Sequence, residues 1–323
     1  MSVIEKTSFV FNPIIKELVE DNVAYPFTIY RKVEENIFLI LVKKNERFRN
    51  SEHTLFKDRV VSDFFIKSDD LEVYHDYIQK HIEDLIYNDN IPVDAKASLL
   101  KEMTSSTMND LFEKEESPEN LLKVDSIVDN TIKFILSEEK AVCSILKVSS
   151  YDYYTYTHSI DVAVYCIGFG TYLNLNKADI SVLGKAAMLH DLGKKKIDNK
   201  IIKKKGRLTK EEFEIIKTHP TLSADILKSL GEKDERLLIA IEQHHEKCNG
   251  KGYPYGLKDD QISELAKIIS ICDVFNALNT KRSYKNRLST YDAFKIMCED
   301  MKNDLSKTHL QKFIQFMGIA NIS

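Results

Sequence analysis

Apolar residues recur at helical spacing through most of the second half of the chain, and several of these apolar segments end at or beside a histidine. Asn176 is placed to cap a helix that runs into His190. Thr209 and Glu212 form a capping-box pattern at the start of a helix that we expect to end near His219. Together the patterns predict helices over residues 156–172, 176–190, 209–219, 237–244, 265–278, 291–301 and 309–317.

The first half begins with short apolar segments of the length of strands. Residues 27–30 and 37–42 flank a polar turn and predict a β-hairpin, and residues 60–66 predict a further strand. From residue 70 onward the pattern becomes helical, and it stays helical through residues 92–140. The apolar stripe of the first of these helices consists of Leu71, Tyr74, Ile78, His81 and Leu85.

Glycine and charge are divided unevenly along the chain. All ten glycines follow residue 167. Residues 1–140 contain 28 acidic and 18 basic side chains, whereas residues 141–323 contain 22 acidic and 28 basic. We therefore expect a mainly α protein in three parts: a small α+β accessory module over residues 1–90, a helical connector over 91–140 and an all-helical bundle over 141–323.

Composition excludes several classes of protein. No segment approaches the roughly 18 apolar residues of a membrane span, and the first residues do not resemble a secretory signal, so we expect a cytoplasmic protein. Five cysteines without a C-x-x-C pair indicate reduced thiols. The acidic balance of the first 140 residues argues against direct binding to nucleic-acid polymers. Nine basic residues between 194 and 210 would attract an anionic ligand, although they also suit a solvated surface loop.

Five of the nine histidines fall between residues 158 and 245. Imidazole and carboxylate groups are ligands of divalent metals. Neighbouring helical residues point about 100° apart, so adjacent ligands can share an ion only near a helix end. Any one of these residues could be an ordinary core or capping residue, but their joint occurrence favours a metal site. The seven candidate ligands are His158, His190, Asp191, His219, His244, His245 and Asp273.

Seven ligands are too many for one ion that also leaves room for substrate, whereas two ions that share a carboxylate would use them all. Two metals about 3.5–4 Å apart can bridge a hydroxide and hold the oxygens of a phosphoryl displacement. Mixed His and carboxylate ligation favours Fe or Mn, with Zn as a further candidate. Lys194 is placed to neutralise charge on a phosphate oxygen.

The segment from about residue 155 to residue 285 resembles an HD-GYP domain, a branch of the HD phosphohydrolase superfamily. This resemblance implies a bacterial metal-dependent phosphodiesterase that hydrolyses cyclic di-GMP to linear pGpG and, in some members, to GMP. The matching motifs are His190-Asp191-x-Gly193-Lys194, Leu208-Thr-x-Glu-Glu-Phe, Lys217-Thr-His219-Pro220, His244-His245-Glu246, Gly250-x-Gly252-Tyr253-Pro254-x-Gly256-Leu257, Asp273-Val-Phe-x-Ala-Leu278 and Arg282-x-x-Lys285.

The resemblance also implies a role for each candidate residue. One metal would be bound by His158, His190, Asp191 and Asp273. Asp191 would bridge to a second metal, bound also by His219, His244 and His245. Catalysis would involve Asp191 and Lys194, with Lys194 beside the scissile phosphate. Substrate would contact Lys194, Tyr253, Arg282 and Lys285.

The sequence departs from the family at a few positions. Tyr154 replaces the glutamate of members with three metals, which favours two metals and pGpG as the product. Asn249 and Asn276 replace aspartates, and Ser283 replaces a proline. These changes motivate an alternative hypothesis, in which the protein is a weakly active or inactive sensor of cyclic dinucleotides. Another cyclic dinucleotide, or a nucleotide monophosphate, is a further alternative for the substrate.

A second, fainter resemblance concerns the N-terminal part. Pro26-Phe27-Thr-Ile-Tyr30 and Val73-Tyr74-x-x-Tyr77 are similar to a small module that often precedes HD-GYP domains. This resemblance implies that residues 1–140 serve in regulation, either as a homodimer contact or through a protein partner.

Overall fold

The computed structural model describes residues 4–6, 10–15, 18–34, 37–49, 64–113, 116–138, 140–149, 155–204, 206–280 and 288–319. Its contacts group the chain into two compact units, Met1–Leu99 and Leu100–Ser323. No helix in the described ranges has both the length and the apolar character needed to cross a bilayer. The predicted borders at residues 90 and 140 stay a prediction.

The N-terminal unit combines an antiparallel sheet with one long helix. The described strands are β1 (Ile4–Lys6), β2 (Phe11–Ile14), β3 (Ile29–Glu34), β4 (Ile37–Val42) and β5 (Phe64–Lys67), and their order in the sheet is β1-β4-β3-β5-β2. Helix α1 (Leu71–Tyr87) follows β5. The ring of Tyr74 on α1 lies 5.5 Å from the ring of Phe27, so this helix packs on the segment that leads into β3.

The predicted hairpin forms, with shifted boundaries. Strand β3 begins at Ile29 and continues to Glu34, so most of the predicted turn is strand, paired with β4 at Arg31 and Leu39. The last strand is β5, and residues 60–63 of its predicted range lie outside the described part of the chain. Strands β1 and β2 were not predicted, because each is only three or four residues long.

The helix predicted after residue 70 also forms, but its buried face is different. Tyr74, Ile78, Ile82 and Ile86 face the interior, whereas His81 is exposed. The buried residues recur every four positions along this helix. The prediction was wrong to include His81 and Leu85 in the buried stripe.

The C-terminal unit is built from helices, which confirms the predicted fold class. Helix α2 (Val93–Glu113) passes through the border between the two units. The remaining described helices are α3 (Pro118–Ser137), α4 (Ala141–Ser149), α5 (Thr155–Tyr172), α6 (Lys177–Leu189), α7 (Asn199–Ile202), α8 (Lys210–Ile216), α9 (His219–Ser229), α10 (Glu235–Glu242), α11 (Glu264–Asn279), α12 (Thr290–Glu299) and α13 (Lys307–Ile319).

Helix α5 is the central element of this unit. Residues 159–170 are buried all round, as expected for a helix enclosed by its neighbours. It packs against α4, α6 and α11, and its Phe169 ring lies 5.1 Å from the ring of Phe313 on α13. The elements that carry the candidate ligands are therefore held around one apolar core.

Two capping predictions are confirmed. The Asn176 side chain accepts from the Asp179 backbone N–H, and Thr209 and Glu212 form a reciprocal capping box. The end predicted near His219 was wrong, because α8 ends at Ile216 and His219 begins α9. Pro220 explains the difference, since proline is tolerated in the first turn of a helix, where its missing N–H costs no hydrogen bond.

Candidate metal centre

The structure brings all seven predicted ligands together. Their ligand atoms form two groups, and within each group these atoms lie within 4.8 Å of one another. One group contains His158, His190 and Asp273, and the other contains Asp191, His219, His244 and His245. Adjacent residues, His190 and Asp191, belong to different groups, so the two groups meet at this dipeptide.

Helix ends place most of these side chains, as the sequence predicted. His190 is the residue that ends α6, and His219 is the first residue of α9. His244 and His245 follow Gln243, the residue that caps the end of α10. Only His158 on α5 and Asp273 on α11 lie within helices, and these two helices pack side by side.

Three of the histidines share one arrangement of hydrogen bonds. The Nδ1 atoms of His190, His219 and His244 lie 2.6–2.7 Å from the carbonyl oxygens of Ala187, Ile216 and Ile241, each three residues earlier. A carbonyl oxygen only accepts, so Nδ1 carries the hydrogen and Nε2 keeps its lone pair in the neutral ring. The Nε2 atoms of His219 and His244 are only 3.3 Å apart. Converging lone pairs of this kind suit a shared cation.

Two buried ligand atoms have no hydrogen bond within the described part of the chain. These atoms are His190 Nε2 and Asp191 Oδ1. The Asp191 carboxylate approaches both groups, with Oδ1 3.2 Å from His219 Nε2 and Oδ2 3.4 Å from His190 Nε2. Burying such atoms without a partner costs free energy. The donor set therefore fits divalent cations, and the Asp191 carboxylate lies between the two groups.

His158 is oriented by a partner that the sequence did not predict. Its Nε2 lies 2.8 Å from Asp273 Oδ1, and its Nδ1 lies 2.6 Å from Asn276 Oδ1. The Asn276 amide nitrogen is in turn 3.4 Å from Asp161 Oδ2. Since an amide oxygen accepts, Asn276 directs the His158 Nδ1–H away from Asp273.

The two carboxylates of the centre are ionised at neutral pH. Burial alone would raise the pKa of Asp191, but the charges of Lys194 and His190 outweigh it and hold this pKa well below its usual value. Burial likewise opposes ionisation of Asp273, but the hydrogen bond and charge of His158 lower its pKa. Both acids are thus in the form that binds a cation.

The histidines of the centre differ in protonation. Desolvation lowers the pKa of His245 to about 3, and desolvation together with the neighbouring His245 lowers the pKa of His244 well below its usual value. Burial also works against protonation of His190, but Asp191 outweighs it and raises the pKa of His190. His244 and His245 are therefore neutral at neutral pH, the form in which an imidazole can bind a cation, whereas Asp191 favours the protonated form of His190.

Lys194 and Tyr253 border the centre. The Lys194 ammonium lies 2.5 Å from Asp191 Oδ2, so it contacts a predicted ligand directly. The Tyr253 ring lies 4.8 Å from the His245 ring. Burial, followed by the charges of Asp191 and Asp273, raises the pKa of the Tyr253 phenol, which stays protonated and can donate a hydrogen bond. The predicted substrate contacts Arg282 and Lys285, and Tyr154, lie outside the described residues.

The loop that carries Tyr253 is held by a buried carboxylate. Glu246 is 3% exposed. Its carboxylate accepts from the backbone N–H groups of Tyr255, Gly256 and Leu257 at 2.6, 3.0 and 2.9 Å. In the same loop, Asn249 donates to Asp304 at 2.7 Å. These bonds fix the turn that places Tyr253 against His245.

A family comparison agrees with this geometry, because a model described as HD domain matches residues 135–306, slightly more than half of the chain. The chain belongs to the HD domain family. This match confirms the predicted membership of the HD superfamily, whose members are metal-dependent.

Curated relatives of this HD protein include bacterial phosphodiesterases. Cyclic di-GMP phosphodiesterase PA4108 of Pseudomonas aeruginosa is 31% identical over 193 residues, which cover 60% of this chain and 46% of that protein. The 3'3'-cGAMP-specific phosphodiesterase 3 of Vibrio cholerae is 36% identical over 148 residues, which cover 46% and 32%. The chain thus matches less than half the length of these relatives.

Among solved structures, Bd1817, an HDG"Y"P protein from Bdellovibrio bacteriovorus, superposes with a TM-score of 0.68. The superposition covers 96% of this chain and 100% of that chain at 20% sequence identity. At this identity the likeness shows the fold. The predicted fold class, a helical HD-type bundle with a small α+β module, is confirmed.

Sequence reasoning missed three residues that support the HD centre. Asn276 stands out in the sequence only as a departure from the family, and Glu246 only as part of a motif. Ser223 gives no signal there, yet its Oγ accepts from Gly193 N–H at 2.7 Å and donates to the His190 carbonyl at 2.8 Å. Ser223 comes four residues after His219, and this spacing alone does not indicate a supporting role. The role becomes visible only from the packing of α9.

Proposed function

We propose that this HD domain hydrolyses a phosphodiester bond of cyclic di-GMP to give linear pGpG, with two divalent cations in the seven-ligand centre. The observation that supports this function is the meeting of the two ligand groups at His190 and Asp191, where each group has one residue of the pair. The curated relatives support a cyclic dinucleotide as the substrate class.

The proposed ligands divide between the two cations as the two groups do. His158, His190 and Asp273 would bind one cation, and His219, His244 and His245 the other, with Asp191 between them. The mixture of imidazole and carboxylate favours Fe or Mn, with Zn as a further candidate. When bound, two such cations lower the pKa of a shared water and hold the oxygens of an in-line phosphoryl displacement.

The side chains around the cations have separate tasks. Lys194 balances the charge of Asp191 and has an ammonium that a phosphate oxygen can share. Tyr253 keeps its phenolic hydrogen and can donate it to a phosphate or base oxygen. Arg282 and Lys285 remain proposed substrate contacts. A centre with these cationic and donor groups suits a dianionic substrate.

The alternative function, a weakly active or inactive cyclic-dinucleotide sensor, rests on Asn249 and Asn276. Both amides form hydrogen bonds, Asn276 with His158 and Asn249 with Asp304. Each amide thus keeps a hydrogen bond at the position where the family has an aspartate. This supports the enzyme over the sensor.

The test uses the full chain loaded anaerobically with Mn or Fe and a panel that includes cyclic di-GMP and 3'3'-cGAMP. We expect pGpG from cyclic di-GMP and no product from His190→Ala or Asp191→Asn. His309→Ala is the matched control. His309 forms a hydrogen bond with Ser306 and contacts the Glu264 carboxylate, both away from the centre. Absence of hydrolysis of every cyclic dinucleotide by protein with two bound metals would falsify the proposal.

Residues 1–140 are proposed to regulate this activity, as a homodimer contact or through a protein partner. Their acidic balance suits a protein partner better than a nucleic acid. Light scattering of the purified chain distinguishes a dimer from a monomer.

A further inference from the structure

An aromatic ring lies exposed just beyond the metal centre. Phe213 on α8 is 43% exposed, and its ring is 6.2 Å from the ring of Tyr253, edge to face. Tyr253 in turn lies 4.8 Å from His245. The rings of His245, Tyr253 and Phe213 therefore form a series from a proposed metal ligand to the surface. The last of them, Phe213, is exposed to solvent.

Packing does not account for the position of Phe213. None of the seven residues of α8 is fully buried, so the ring does not anchor this helix in the core. The helix is fixed at its start instead, where Thr209 and Glu212 form the capping box and Lys204 pairs with Glu212 at 2.6 Å. The ring is thus presented on a backbone that is held by local hydrogen bonds.

A cation accompanies the ring. The Lys217 ammonium lies 5.0 Å from the centroid of Phe213, as in a cation–π pair, and 2.6 Å from Glu214 Oε1. Phe213 and Lys217 are four residues apart on the chain, a spacing that brings side chains onto one side of a helix. The exposed ring favours a ligand with a flat group, and the Lys217 ammonium could exchange the exposed Glu214 carboxylate for an anionic group of that ligand.

We propose that Phe213 is a stacking platform for a purine base of the substrate whose phosphate occupies the metal centre. This inference rests on the proposed function and adds a residue that binds the base. Nucleobases stack on exposed aromatic side chains, because every base has a π-face. The position one ring beyond Tyr253 suits a base joined through its sugar to a phosphate at the centre.

The chain contains no tryptophan, so Phe213→Trp creates a single fluorescent reporter at the platform. The metal-loaded full chain is titrated with GMP, which has a purine and a phosphate but no phosphodiester bond to hydrolyse. We expect saturable quenching of the indole fluorescence of this variant by GMP and none by ribose 5-phosphate.

Ile215→Trp is the matched control, because Ile215 lies on the same helix and is 44% exposed. Its fluorescence should not change with GMP. Equal quenching of both reporters, or no quenching of the Phe213→Trp reporter, overturns the platform.

Kinetics of two further variants test the same platform. Phe213→Leu keeps an apolar side chain without a π-face, and should raise KM for cyclic di-GMP about five- to tenfold with kcat unchanged. Phe213→Tyr should keep the KM of the parent protein. An unchanged KM in Phe213→Leu contradicts the proposal.

The two proposals fail separately. Quenching at Phe213→Trp in a protein that hydrolyses no cyclic dinucleotide would overturn the proposed function and leave a purine-binding platform. Hydrolysis without quenching would overturn the platform and leave the function.

Discussion

The most informative prediction concerns Asn276, which orients His158, one of the proposed metal ligands. Its side chain is 3% exposed, and its amide oxygen is the acceptor 2.6 Å from His158 Nδ1. Replacing it by leucine removes this acceptor and leaves a part-buried N–H without that partner, at a cost of about 1 kcal/mol. The preferred ring orientation of His158 is lost at the same time.

Removal of such an outer partner weakens metal binding by about 10- to 100-fold. The loss should fall on one cation only, because Asn276 contacts His158 and not the group of Asp191, His219, His244 and His245. Titration of the metal-free protein with Mn²⁺ by calorimetry should therefore show one weakened and one unchanged binding step in Asn276→Leu.

A second pair of variants tests the same contact by changing the charge at positions 276 and 161. Asn276→Asp keeps an acceptor for His158 but sets a second carboxylate beside Asp161, whose Oδ2 lies 3.4 Å from the Asn276 amide nitrogen. The variant should bind the affected cation less tightly than Asp161→Asn/Asn276→Asp, in which only one carboxylate remains.

Asn279→Leu serves as the control, since Asn279 is buried about one turn further along α11. It should bind both cations as the parent protein does. Two unchanged binding steps in Asn276→Leu, or equal weakening of both in a folded protein, would refute the reasoning.

Three further predictions follow from the site. Gly193→Ala should destabilise the fold by about 1–3 kcal/mol in thermal unfolding, because an added Cβ would clash with the carbonyl oxygen of the first residue of α9. Gly318→Ala, where a Cβ meets nothing within 4 Å, should have no such effect, and equal stability of the two variants contradicts the prediction. Glu246→Gln should lower the free energy of unfolding in urea by about 1–3 kcal/mol, because an amide keeps only one acceptor oxygen for three backbone N–H groups. An unchanged urea midpoint would show that the loop does not depend on the carboxylate. Mn²⁺ affinity should rise as pH rises, because Asp191 raises the pKa of His190 against the effect of burial, and the metal competes with that proton. Calorimetric titrations between about pH 6 and 8 measure this, and an affinity independent of pH would contradict it.

The candidate ligands could be predicted from the sequence because helix ends are local features. Histidine pairs that follow apolar helical segments, the capping box at Thr209 and the cap at Asn176 depend on residues only a few positions apart. Helical spacing likewise predicted an all-helical C-terminal part. Where two local signals competed, as at His219 and Pro220, the proline favoured a helix start and the expected end was wrong.

The partners that orient those ligands were decided only by the tertiary structure. His158 and Asn276 are 118 residues apart, and Gly193 and Ser223 are 30 apart. No spacing rule links such pairs, because their contact depends on how α5 packs on α11 and how α9 approaches the turn after α6. The sequence by itself thus predicted which side chains gather at the candidate centre, whereas their hydrogen-bonded orientation and the exposed ring of Phe213 followed from long-range packing.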